Sequence, residues 1–111
     1  GKLPAGRVKI IGGLSRFYCN ITASSATIDI GNQAYVNTSG ETVAEDVDSM
    51  VDGLDVDTAG YFTMEGNTAA QKLLGGNHKF DSKDGVVIQI KSIQALANDD
   101  DVDGVITYVL D

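Results

Sequence analysis

Few residues in this chain are of a type that does chemistry, and they do not gather. His78 is the only histidine and Cys19 the only cysteine. A Ser-His-Asp or Cys-His group would have to use His78. That residue follows Gly75-Gly76-Asn77 in an expected loop, and no nucleophile signature of the Gly-x-Ser-x-Gly kind accompanies it. Cys19 lies in an apolar run, where a thiol acts as a small hydrophobe, and with no second cysteine it forms no disulfide within the chain. Asp99-Asp100-Asp101-Val102-Asp103-Gly104 matches the first half of an Asp-x-Asp-x-Asp-Gly calcium loop. The second half fails, because the twelfth position is Leu110, which has no carboxylate to offer a cation. The segment is therefore read as an acidic β-turn at Asn98 to Gly104. No residue is assigned a catalytic, cofactor-binding or metal-ligating role, no cofactor is implied, and the chain is read as not an enzyme.

Charge points away from nucleic acid. The formal net charge is −8, and phosphate contacts need Lys and Arg. The bases are unevenly placed. Lys2, Arg7, Lys9 and Arg16 come before any acid, and the next base is Lys72. Between them stand Asp29, Glu41, Glu45, Asp46, Asp48, Asp52, Asp55, Asp57 and Glu65. A basic segment and an acidic middle can pair within one subunit or between neighbours, or remain separately solvated. No apolar run approaches the length of a membrane span and no signal peptide is visible, so no membrane partner is expected.

The elements that would hold a functional surface are mostly strands. A length of 111 residues fits one domain, 1–111, with a core of modest reserve. Val8-Lys9-Ile10-Ile11 reads as a strand, and Gly12-Gly13 as a bulge or sharp bend. Beyond it Phe17, Cys19 and Ile21 share one face, with Tyr18 opposite. In Ala26 to Gly31, Ile28 and Ile30 point in while Thr27 and Asp29 point out. Thr42 to Asp52 changes period: Val43, Val47, Met50 and Val51 form one helical stripe, capped by Ser39 or Thr42 and ended by Gly53. Asn67 to Leu74 has weaker helical character, ended by Gly75-Gly76-Asn77. Asp84-Gly85 is a hairpin signal leading into Val86 to Ile93, the longest expected strand. Val105 to Leu110 is apolar on both faces, which predicts a central or covered strand. The sum is a mainly β, single-domain antiparallel β-sandwich or jelly-roll-like fold with one short helix in a long connection.

Two stretches carry a resemblance. One is Leu3-Pro4-Ala5-Gly6-Arg7-Val8-Lys9-Ile10-Ile11-Gly12-Gly13-Leu14-Ser15-Arg16. The other runs from Phe80-Asp81-Ser82-Lys83-Asp84-Gly85-Val86-Val87-Ile88 to Tyr108-Val109-Leu110-Asp111, and Ala26 to Gly31 and Asp55 to Gly60 fit the same plan. The chain resembles small structural proteins of tailed bacteriophages, of the head decoration (cement) type. The resemblance implies a noncatalytic virion protein, made in the bacterial host cytoplasm, that binds the outer surface of the major capsid protein shell and stabilises it. It implies a homo-oligomer, with a trimer favoured. The expected contact is the basic segment Lys2 to Arg16, together with any N-terminal arm before residue 1, since the chain opens on Gly1 and not on methionine. Alternatives are a phage tail or head-fibre component and, from another class, a calcium-dependent secreted adhesion or carbohydrate-binding module.

Overall fold

The computed structural model describes residues 1–74 and 76–111. The chain is mainly β and antiparallel throughout its ladders. The first half holds β1 (Lys2–Leu3), β2 (Gly6–Ile10), β3 (Arg16–Asn20), β4 (Thr27–Asn32), β5 (Tyr35–Val36), β6 (Thr42–Val43) and β7 (Asp46–Asp55). The second holds β8 (Gly60–Thr63), the short helix α1 (Ala69–Leu74), β9 (Lys79–Ser82), β10 (Val86–Ser92), β11 (Asp101–Val105) and β12 (Tyr108–Leu110). A four-stranded sheet in the order β1-β10-β4-β7 shares one core with two three-stranded sheets, β11-β3-β8 and β12-β2-β9, in a sandwich-like arrangement. β5 and β6 form a separate small ribbon.

The core follows the alternation read from the sequence. Ile28, Ile30, Val86 and Ile88 bury from the large sheet, and Val8, Ile10, Phe17 and Cys19 from the smaller ones. Phe17 stacks on Phe62 across the β3–β8 ladder, with ring centroids 5.8 Å apart. Asp29 differs from expectation. β4 is central and covered on both faces, so Asp29 is buried, and its carboxylate accepts the Gly53 N–H at 2.7 Å.

Thr42 to Asp52 is not a helix but the strands β6 and most of β7, and β7 is the longest strand in place of Val86 to Ile93. The helical stripe was an echo of bulges. From Ile28 to Ile30 is two steps along β4 but three along β7, from Leu54 to Val51. A bulge lets neighbouring residues face the same side, and Met50 and Val51 are both buried. A second irregularity follows, from Ile30 to Asn32 against Val51 to Asp46, and Gly31 permits it, because a Cβ there would collide with the Asp46 carbonyl and the Val47 backbone. The helix lies instead at Ala69–Leu74, where the weaker signal was. Gly75, part of the expected stop, lies outside the described residues.

The Asp84-Gly85 turn is present, with Gly85 at φ +98° and its N–H donated to Ser82 Oγ, but it closes no hairpin. β9 pairs with β2, and β10 with β1 and β4, so this turn carries the chain between sheets. The C-terminal region is also redistributed. The expected turn at Asn98 to Gly104 shortens, because Asp101 to Gly104 already belong to β11. The last strand is neither central nor covered: β11 and β12 each lie at a sheet edge.

Candidate functional site

β2 and β3 run antiparallel to β12 and β11, and both ribbon halves change sheet at one corner. The inner strand turns through the Gly12–Leu14 3₁₀ turn, where Gly12 allows the Met64 carbonyl to approach. The outer strand turns at Ile106 and Thr107. Fully buried Ser15 fastens the two: its hydroxyl donates to the Ile11 carbonyl at 2.9 Å and accepts the Thr107 N–H at 2.9 Å. The Ile11 N–H donates to the Thr107 carbonyl at 2.9 Å, and the Asp111 N–H to the Arg7 carbonyl at 2.9 Å.

Those bonds fix which way the last strand faces. In an antiparallel ladder alternate residues direct N–H and C=O to the same neighbour. Thr107, Val109 and Asp111 therefore face β2, and Ile106, Tyr108 and Leu110 direct theirs outward, to a side where no strand pairs. The side chains along this edge are apolar and open, with Val105 70% and Leu110 74% exposed and Tyr108 and Val109 each a little under half. Beside the edge the layers part to leave a groove of about 290 Å³. Leu3, Ile30 and Ile88 line one wall, and Phe17, Ile106 and Tyr108 the other. Its charged residues are Lys2 and Arg16, and among the described residues no carboxylate lines it.

The basic segment does not form a loose arm. Lys2 lies on β1, Arg7 and Lys9 on β2, and Arg16 on β3. It does not pair with the acidic middle either. Among the described residues the one ion pair is Lys79 with Asp111 at 3.6 Å, an exposed contact of small value.

The residues weighed for chemistry stay apart. The Cys19 thiol is buried, and desolvation pushes its pKa up to about 11, the opposite of an activated thiolate. His78 is half-buried against Phe80, with ring centroids 4.5 Å apart; desolvation holds its pKa below the usual value, opposed by the charge of Asp46. Asp100 tethers its own turn, accepting the Ala97 N–H at 2.8 Å and both the N–H and hydroxyl of Thr22. The Ala97 bond foremost holds the Asp100 carboxyl below the ordinary range. Asp101 and Asp103 sit along β11, extended and not convergent. Among the described residues no group of three or more His, Cys, Asp or Glu side chains is placed to hold a metal ion. No described helix is long and apolar enough to cross a membrane.

The sequence pattern held a signal for this surface. A strand apolar on both faces is what a covered strand looks like, and in a single chain Val105 to Leu110 is uncovered. Comparison with known protein families, curated proteins and solved structures gives no match.

Proposed function

We propose that this chain is a capsid decoration (cement) protein of a tailed bacteriophage, a noncatalytic β scaffold that binds the outer surface of the major capsid shell and stabilises it. The observation that carries the reading is the open, largely apolar edge segment Val105 to Leu110 beside an apolar groove, on a domain whose potentially reactive groups are dispersed or inactivated. The resemblance of the N-terminal and C-terminal stretches supports it. A protein that binds only the assembled shell stabilises that shell by mass action and needs no active site. Excess negative charge keeps many copies soluble and unattracted to packaged DNA. The reading places the protein on the virion surface after synthesis in the bacterial cytoplasm, as a homo-oligomer for which the resemblance favours a trimer, with no nucleic-acid or membrane partner.

The test is stoichiometry and occupancy. Purified particles should carry hundreds of copies, and the protein added to shells stripped of it should rebind and raise their melting temperature. A few copies per particle would instead assign it to a tail or head fibre. Binding unaffected at every salt concentration by Arg7→Ala with Arg16→Ala would remove the basic strands from the contact.

A further inference from the structure

We propose that the C-terminal strand joins two copies of this chain edge to edge, antiparallel, about a two-fold axis at Tyr108. This goes beyond the capsid reading and does not depend on it; it sets a two-fold pair in place of the trimer that the resemblance favours. The outward groups of Ile106, Tyr108 and Leu110 make the strand self-complementary. With the axis at Tyr108, Ile106 meets Leu110 of the second copy, Tyr108 meets its counterpart, and Leu110 meets Ile106. Each of these positions exchanges two main-chain hydrogen bonds with its partner. The result is one six-stranded sheet, and a closed contact that cannot propagate into a fibre.

Charge selects this register. An axis one residue earlier, at Thr107, would set Asp103 directly against Asp111 of the second copy, and an axis at Ile106 would set Asp101 against it; like charges opposite one another destabilise a ladder. An axis at Val109 would set Asp111 of the second copy against Thr107, away from Val105 and Arg16. At Tyr108 the second copy's Asp111 faces Val105, whose other neighbour is Arg16. Strands lie about 5 Å apart, so the Arg16 guanidinium spans exposed Val105 to reach that carboxylate, in exchange for the weak exposed contact with Lys79 of its own copy. Arg16 has no carboxylate within ion-pair distance among the described residues. Exposed Tyr108 and Ile90 border the groove, so the second strand would also cover its mouth. An edge this short buries less than a permanent homodimer does, so the dimer should dissociate between about 10 µM and about 1 mM.

Sedimentation of the 111-residue chain across that range should show monomer passing to dimer. Leu110→Pro removes only an outward N–H and leaves the β2 ladder intact. It should weaken dimerisation at least tenfold while the melting temperature stays within a degree or two. Val109→Pro removes an inward N–H and should lower the melting temperature, confirming the strand's orientation. Tyr108→Cys places two thiols across the axis at a Cα separation of about 5.5 Å, which suits a disulfide. Oxidised glutathione should then give a covalent dimer, whereas Val105→Cys should not, and buried Cys19 does not interfere. A chain monomeric at all concentrations, or a dimer or trimer indifferent to Leu110→Pro, would overturn the proposal.

Discussion

Two sheet edges among the described residues, β7 and the C-terminal segment Val105 to Leu110, are treated in opposite ways. β7 presents Asp46, Asp48, Asp52 and Asp55 along a bulged strand. Side-chain amides also cap its backbone: Gln71 donates to the Asp48 carbonyl at 2.8 Å, and Asn67 both accepts from the Asp52 N–H and donates to its carbonyl. Charge, bulges and a covering segment are the means by which sheets refuse further strands. The C-terminal strand has none of these along Val105 to Leu110. Of these two edges, one is closed to a further strand and the other leaves its outward main-chain groups open to one.

The contrast can be tested from both sides. The largest effect should come from Gly31→Val, which fills the space through which the β7 bulge approaches β4; a loss of about 3 kcal/mol or more in urea unfolding is expected. Ser15→Ala strips the buried hydroxyl that fastens the other edge at its corner and leaves the Thr107 N–H unpaired. It should cost about 2 kcal/mol, with amide exchange rising first in β12. Asn67→Ala uncaps the β7 backbone and should cost about 1 kcal/mol, with faster exchange at Asp52. Leu110→Lys puts a charge on the open edge. Stability should stay within about 0.5 kcal/mol, while self-association and any shell binding fall sharply, as seen by sedimentation.

The smallest effect is in pH. Burial lowers the His78 pKa, so the unfolded chain binds the proton more readily than the folded one. Stability from this group is present above the ordinary histidine value of about 6.5 and is lost as pH falls below it. His78→Phe should flatten the melting temperature between pH 7 and pH 5.5. An unchanged slope would assign that dependence to the carboxylates.

The sequence made the core legible because strand alternation is local. Phe17, Cys19 and Ile21, and Ile28 with Ile30, bury as their spacing demands. It misled where tertiary geometry interrupts that period. In β7 the bulges bring Met50 and Val51 together and imitate a helix, and only the opposing glycine at position 31 hints at the close approach. Asp84-Gly85 specifies a turn but not which strands it separates, since pairing partners are chosen by the sheet. The open edge was half legible. Its two apolar faces were visible, but whether the chain itself covers them depends on strand pairings far apart in sequence, which no local pattern records.

The corner at Ser15 has a consequence for how the protein is made. Its hydroxyl meets Thr107 across 92 residues, and β2 finds both its partners in the final third of the chain. The sheet therefore cannot be completed before β9 and β12 are available, and loops so long close slowly. Folding should begin in the β4–β7 region, whose strands are close in sequence, and the first strands wait for the last to emerge.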